Sequence, residues 1–288
     1  MFELPRGLKW LEQTSAGRDW LQQLPTHVRT CVDRWSLRLD KPYDQSNVSI
    51  VFPAAMADGS PAVLKVQFPH KESEHEAEAL RRWNGQGAVK LFAVADEHHA
   101  LLMEPCEPGD HLSAAQPAEA LEVFAQILPR LWIEAGEPFV SLLDESAEWI
   151  KDLPLFWERA GRPFEVKLLE VALEALDTVR RNPRQQILIH QDLHGDNVLR
   201  ATREPWLVID PKPLTGEREF SLAPIVRSYE FGHSRKQAIH RLDWLTAALR
   251  LDRERARLWS LGQTLAWACG DGNVLPRHVE TARWLWQA

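Results

Sequence analysis

The spacing of apolar residues divides the chain into two stretches of different character. Over 7–35, Leu8, Leu11, Trp20, Leu21 and Leu24 recur at helical intervals, and Pro25 is read as breaking that helix. Two β-branched, apolar runs follow, 47–52 (NVSIVF) and 62–67 (AVLKVQ). Asp58-Gly59-Ser60-Pro61 between them is turn chemistry, so the pair predicts an antiparallel hairpin. The alanines, glutamates and leucine of 71–85 predict a helix stopped by Gly85. The runs 88–95 and 99–104 predict two more strands, with Asp96-Glu97-His98 turning between them. Pro105, Pro108 and Gly109 then mark a break. Beyond it the pattern is helical over 117–136, 146–160 and 164–182, and only 186–190, 197–201 and 206–210 read as strands. From 220 onward it is helical again, with Pro276 opening the last helix. This order predicts an α+β protein of two lobes. The smaller, β-rich lobe covers 1–105 with a helical extension over about 1–36, and the larger, mainly helical lobe covers 106–288.

Composition adds limits rather than a fold. With 44% hydrophobic and 26% charged residues the chain has enough apolar mass for a sizeable core. A net charge of -7, from 34 basic and 41 acidic residues, argues against nucleic acid as the main partner and fits a cationic small molecule. Cys31, Cys106 and Cys269 form no CxxC pair, which excludes a disulfide framework and suits a reducing cytoplasm. The opening MFELPRGLKWLEQ has no apolar stretch behind basic residues, and no run approaches the ~18 apolar residues a bilayer requires. The 13 tryptophans are read as large core side chains rather than an aromatic ligand cage.

Candidate chemistry concentrates in Ile187-Leu188-Ile189-His190-Gln191-Asp192-Leu193-His194-Gly195-Asp196-Asn197-Val198-Leu199, followed by Trp206-Leu207-Val208-Ile209-Asp210. A polar loop lies between short apolar strands. It holds an aspartate and, five residues later, an asparagine, while a second aspartate ends the next strand. Phosphoryl transfer needs a carboxylate to orient the attacking hydroxyl and hard oxygen ligands to hold magnesium against the phosphates. Asp192 fits the first role. Asn197 and Asp210 fit the second, since a strand-loop-strand layout brings both to one end of a hairpin. Protein kinases share this arrangement of an H-x-D loop, an asparagine and a metal-binding aspartate one strand later. No GxxxxGK[ST] occurs, so a Walker P-loop is excluded.

His190-x-Asp192-Leu193-His194-x-x-Asn197-Val198-Leu199 resembles the catalytic loop of the aminoglycoside phosphotransferase family, within the protein-kinase-like superfamily. Asp210-Pro211-Lys212-Pro213, Gly216-Glu217 and Phe220-x-x-Ala223 are similar to its streptomycin and hydroxyurea kinase branch. The resemblance spans roughly 40–230 and implies an ATP- and Mg2+-dependent kinase with a small-molecule acceptor. It implies that Lys65 orients phosphates while a helix glutamate holds it. Glu72, Glu74, Glu76 and Glu78 are the candidates, and counting back from Leu80 and Trp83 selects Glu76, with Glu78 next. It further implies that adenine lies against Met103, Glu104 and Cys106, with backbone groups of the latter two at its edge. Tyr43-Asp44-Gln45-Ser46-Asn47 would cover the phosphates, with Ser46 or Asn47 donating. That loop contains no glycine, unlike a protein-kinase glycine-rich loop. Ser221 stands where many relatives have an aspartate that braces the catalytic loop. The implied acceptor is cationic and hydroxylated, a streptomycin-like aminoglycoside or else hydroxyurea or another hydroxylated metabolite. Asp144, Glu145, Glu148, Glu230 and Asp271 are carboxylates such an acceptor would use.

Two rival classes remain at this stage. The alternation of His190, Asp192, His194 and Asp196 also suits a metallohydrolase, although that reading leaves Lys65, the helix glutamates and Asn197 without a purpose. A non-catalytic nucleotide-binding module would be expected to lack Lys65, Asp192 or Asp210, and all are present.

Overall fold

In the computed structural model, which describes residues 2–44, 46–270 and 273–288, the N-terminal apolar stretch forms two helices rather than one. A 3-10 helix over Arg6–Gln13 ends at Thr14, whose hydroxyl accepts from Gly17 N at 3.0 Å and caps α1 (Ser15–Trp35). Contrary to the sequence expectation, α1 continues through Pro25. Pro25 is exposed, so the hydrogen bond it cannot donate faces solvent. Trp20, Leu24, Val28 and Cys31 form a buried stripe that holds both halves of the helix to one surface.

That surface is a sheet. Strands β1 (Arg38–Leu39), β2 (Ser49–Ala55) and β3 (Pro61–Gln67) precede helix α2 (Glu76–Trp83), and β4 (Leu91–Ala95) and β5 (Ala100–Met103) follow it. The order is β1-β2-β3-β5-β4, with every pair antiparallel. The two-residue period of β3 sorts its side chains. Leu64 and Val66 join Ile50, Phe52, Ala100, Leu102 and the α1 stripe in one buried cluster, which leaves Lys65 and Gln67 on the opposite face. The helix expected over 71–85 is shorter than its pattern: a 3-10 turn at Lys71–Ser73, then α2. Asn84 closes it in the left-handed conformation at φ 47°, one residue before Gly85.

The second unit begins with helices α3 (Pro117–Leu131), α4 (Leu142–Arg159) and α5 (Val166–Arg180). Then come strands β6 (Ile187–Ile189), β7 (Val198–Arg200), β8 (Trp206–Val208) and β9 (Leu214–Gly216). Helices α6 (Ala223–Arg227), α7 (Arg235–Leu249) and α8 (Arg253–Ala266), the short pair β10 (Cys269–Gly270) and β11 (Asn273–Val274), and α9 (Pro276–Trp286) complete it. β9 pairs antiparallel with β6; at three residues it is too short to show a period in the sequence. Its neighbour Phe220 lies at the centre of the core, stacked on Trp149 at 5.9 Å and edge-on to Trp259 at 5.5 Å.

The chain therefore divides into Met1–Gly109 with Ala201–Leu207, and Asp110–Arg200 with Val208–Ala288. This differs from a single cut after 105 because Arg203 belongs with the first unit. Its guanidinium donates to Glu104 at 2.7 and 2.9 Å, to Gly85 O at 2.8 Å and to Ala88 O at 3.0 Å. The sheet of one unit and the helices of the other make the chain α+β, as its sequence predicts. Among the described residues no helix is long and apolar enough to cross a membrane.

Candidate active site

In the first unit, the face of β3 away from α1 delivers Lys65 to Glu76. The Lys65 ammonium lies 2.9 and 2.7 Å from the two carboxylate oxygens, and Gln67 Nε2 also donates to Glu76. Both charges are buried, Lys65 at 5% exposure and Glu76 at 1%. Glu76 is the first residue of α2, where the positive end of the helix dipole favours a carboxylate. The other helix glutamates stand apart: Glu72 and Glu74 are exposed, and Glu78 pairs with Arg82 at 3.0 Å and Arg81 at 3.3 Å. A buried ion pair adds little net stability over apolar packing, because desolvation offsets the attraction.

Met103 ends β5, buried. Glu104 N–H donates to Lys90 O at 2.9 Å, so its backbone contribution to a ligand would come from its carbonyl. Burial, with Glu104 nearby, pushes the Cys106 thiol up to about 12, which keeps it neutral and unreactive. Of the expected phosphate loop, Gln45 lies outside the described residues. Asn47 O accepts from Trp10 Nε1 at 2.7 Å, and the Ser46 carbonyl lies directly over Gly7, where a Cβ would overlap it.

In the second unit, β6 ends in a loop tied down by its own backbone. Buried His190 donates from Nε2 to Ile209 O at 2.9 Å, and its carbonyl accepts from Asp192 N at 2.8 Å and Lys212 N at 3.0 Å. Burial pushes the His190 imidazole down to about 4, so it is neutral at physiological pH and serves as a support. Asn197 Nδ2 donates to Asp192 O at 2.9 Å, and Ile209 N donates to Asn197 O at 3.0 Å. These bonds set Asn197 beside the residue that precedes Asp210. Asp210 has a positive φ of 57°, a conformation Asp tolerates better than most residues. With its amide nitrogen directed at the loop, Asn197 keeps its side-chain oxygen free of that bond, and this oxygen and the Asp210 carboxylate are of the hard donor type that magnesium takes.

The Asp192 carboxylate lies between two cations. Arg227 Nη2 donates to Oδ1 at 3.1 Å, and Lys212 Nζ is 3.2 Å from Oδ2. Burial alone would raise this carboxyl; Lys212, Arg227, His194 and His190 together outweigh burial and hold it at about 2. Glu230 clamps the loop from the other side, accepting from His194 Nδ1 at 2.6 Å and Gly195 N at 2.7 Å. Only glycine fits at 195, since a Cβ there would meet Glu230 Oε2, Phe231 and Ser113. Ser221 accepts from Trp132 Nε1 at 3.1 Å and lines a cavity of about 10 Å³ beneath Gln191 and Leu193, about one water in size.

The four residues of the metallohydrolase reading, His190, Asp192, His194 and Asp196, do not gather into one cluster. Asp192 is held by cations and His190 by a carbonyl, while His194 and Asp196 approach Glu230, with ligand atoms within 4.8 Å of one another. Among the carboxylates considered for an acceptor, Glu230 accepts from His194 and Gly195. Asp144 accepts from Ser141 Oγ at 2.7 Å, Glu145 accepts from Trp149 Nε1 at 3.3 Å, and Asp271 lies outside the described residues. The contacts of Arg227 and Lys212 with Asp192 were not anticipated. Arg227 reaches Asp192 across a separation of 35 residues, which leaves no local signal. Lys212 stands inside the branch motif and could have been weighed there.

Comparison with known proteins identifies the family and the fold. The family described as "Aminoglycoside/hydroxyurea antibiotic resistance kinase" matches residues 34–274. The chain is 38% identical over 276 residues to the hydroxyurea phosphotransferase of Kitasatospora aureofaciens, across 93% of this chain and 80% of that one. It is 35% identical over 278 residues to the streptomycin 6-kinase of Streptomyces griseus, across 92% and 90%. Its fold is similar to the crystal structure of a thermostable mutant of aminoglycoside phosphotransferase APH(4)-Ia in ternary complex with AMP-PNP and hygromycin B. That match has a TM-score of 0.59 at 14% identity over 90% of this chain and 96% of the other. The fold is thus the α+β, protein-kinase-like one, and the chain is a kinase belonging to the aminoglycoside/hydroxyurea antibiotic resistance kinase family.

Proposed function

We propose that this chain transfers the γ-phosphate of ATP to a hydroxyl of a small cationic molecule, with a streptomycin-like aminoglycoside as the first candidate. The observation that carries the reading is Asp192, fixed by Arg227 at 3.1 Å on a loop whose Asn197 carbonyl accepts from Ile209 N, the residue before Asp210. Asp192 accepts a hydrogen bond from the acceptor hydroxyl and aligns it. Lys65, steadied by Glu76, neutralises charge on the α and β phosphates, and Met103, Glu104 and Cys106 border the adenine. Asn197 and Asp210 would hold Mg2+, which would offset charge on the phosphate oxygens.

In the transfer, the hydroxyl oxygen bonds to the γ-phosphorus while the bond from phosphorus to the ADP oxygen breaks, and its electron pair leaves on ADP. The hydroxyl proton passes to Asp192 and then to water. A carboxyl held at about 2 is a weak base, so Asp192 contributes mainly by orientation. That suffices for a loose transition state, in which positioning and electrostatics carry most of the catalysis.

Hydroxyurea is the second reading, favoured by the 38% identity to a hydroxyurea phosphotransferase. A coupled assay of ADP release against aminoglycosides, hydroxyurea and small alcohols separates the two. Asp192→Ala is expected to lower turnover with the active acceptor by at least about 100-fold while ATP still binds. Near-normal turnover in that variant, or ADP release with none of these acceptors, would end the proposal.

A further inference from the structure

We propose that Lys212 is a catalytic residue of this phosphotransfer, its ammonium shared between Asp192 and the phosphoryl group in flight; the inference rests on the function proposed above. The two cations on Asp192 are built differently. Arg227 is fixed: its side chain is 7% exposed, its Nη1 donates to Gln263 Oε1 at 2.6 Å, and its guanidinium lies 4.2 Å from the centroid of the Trp267 ring. This contact alone supplies Asp192 with a permanent, buried counter-ion. Lys212 is 25% exposed, with Nζ 3.2 Å from Asp192 Oδ2 and 5.4 Å from the same Trp267 ring. Lys212 lowers the Asp192 carboxyl too, ahead of Arg227, and so makes a carboxylate that already has a buried partner a weaker base.

What a second, accessible cation does supply is charge at the reacting centre. A hydroxyl held by Asp192 lies about 2.7 Å from its oxygen, so the phosphorus that the hydroxyl attacks comes within reach of the same flexible ammonium. The loose transition state carries its negative charge on the equatorial oxygens of the transferred group, where a positioned cation is most effective. The backbone is suited to this. Lys212 follows Asp210 by two residues, and its N–H donates to His190 O at 3.0 Å, so one short tethered segment presents both the proposed metal ligand and the ammonium. No bond to Lys212 forms or breaks in the transfer; it keeps its proton throughout and gains only a stronger contact as charge develops.

The test compares wild type, Lys212→Met and Lys212→Arg in acceptor turnover and in calorimetric binding of MgADP with and without aluminium fluoride, a mimic of the phosphoryl group in transfer. Lys212→Met is expected to lower kcat by about 100-fold with KM for ATP little changed. It should bind MgADP normally but lose about 100-fold of the affinity that aluminium fluoride adds. Lys212→Arg should recover part of both. Wild-type kcat in Lys212→Met would overturn the proposal. So would a fallen kcat with the aluminium fluoride advantage intact, because Lys212 would then act only through Asp192. If the Met variant does not fold, Lys212→Gln, with a polar head on a similar stem, is read by the same criteria. Should wild type itself phosphorylate none of the acceptors and gain nothing from aluminium fluoride, it is the kinase function that fails. Should wild type do both and Lys212→Met match it, only the role of Lys212 falls.

Discussion

Arg241 shows how far from the chemistry a single residue can govern it. Its terminal nitrogens donate to Val226 O at 2.9 Å, Ser228 O at 2.6 Å, Phe231 O at 3.4 Å and Gly232 O at 3.1 Å. Burial pulls its guanidinium down to about 10, so it stays charged. The segment it holds carries Arg227 to Asp192 and Glu230 to Gly195. Arg241→Met leaves those carbonyls without this donor and is expected to destabilise the fold by roughly 2–4 kcal/mol, read as a lower urea midpoint. In folded protein kcat should drop more than KM for ATP rises; a variant with unchanged midpoint and kcat would show that the segment holds itself. His190 sets an acid limit of a different kind. It moves from an ordinary 6.5 in the unfolded chain down to about 4 when folded, because burial disfavours its charged form. The unfolded chain then binds more protons between these values. The stability this group contributes is present above 6.5 and is lost as pH falls toward 4. His278, also pulled to about 4 by burial, acts in the same direction. His194 runs oppositely: burial lowers it, but the bond to Glu230 and the charges of Asp192, Glu230 and Asp196 outweigh burial. Its stabilisation is complete below its ordinary 6.5 and is lost as pH rises through its folded value. Denaturation midpoints should therefore peak near neutrality and decline below pH 6.5, with on the order of 3 kcal/mol at stake for His190. Midpoints that stayed level from pH 6.5 to 4.5 would mean that His190 is not held neutral.

At the scale of elements, the loop at 43–47 shows one segment supplying what another lacks. It has no glycine, yet its Ser46 carbonyl lies where only a glycine at 7 leaves room, and Trp10 on the same 3-10 helix donates to Asn47 O at 2.7 Å. Gly7→Ala should shift this loop and raise KM for ATP on the order of tenfold, equivalent to about 1.4 kcal/mol, with a smaller effect on kcat. An unchanged KM would remove Ser46 from the nucleotide site. The same distinction between local and distant support decides what the sequence could reveal. The β2–β3 hairpin, the alternation that turns Lys65 away from α1, and the spacing from Asp192 to Asn197 are all written within a few residues. They are legible because strand period and turn chemistry are local. Pro25 misleads because tertiary burial of Trp20, Leu24 and Val28 overrides a local helix breaker. Strand β9 shows no period, and Arg227 and Glu230 reach the loop across 35 and 36 residues, so chain topology brings them there and no spacing rule could.

At the scale of the molecule, each unit has its own apolar cluster, the first built on α1 and β2–β3, the second on Phe220, Trp149 and Trp259. Overall charge bears on what the protein can attract. The chain carries a formal charge of -7, and the charge near Asp192 is already matched by Lys212 and Arg227. Attraction of a cationic acceptor must therefore come largely from the field of the remaining acids, which acts over distance and is screened by salt. The screening length is about 10 Å at 0.1 M and shrinks further above it, so long-range attraction fades while short buried pairs such as Lys65–Glu76 at 2.7 Å persist. This separates the two acceptor readings. For a streptomycin-like cation, kcat/KM should fall as ionic strength rises from about 0.05 to 0.3 M, chiefly through KM. For hydroxyurea, which is neutral, the same titration should leave kcat/KM nearly level once the salt effect on MgATP binding is removed by saturation. A cationic acceptor whose kcat/KM did not respond to salt would mean that its recognition rests on short contacts and shape, and that the acidity of the chain has no part in selecting it.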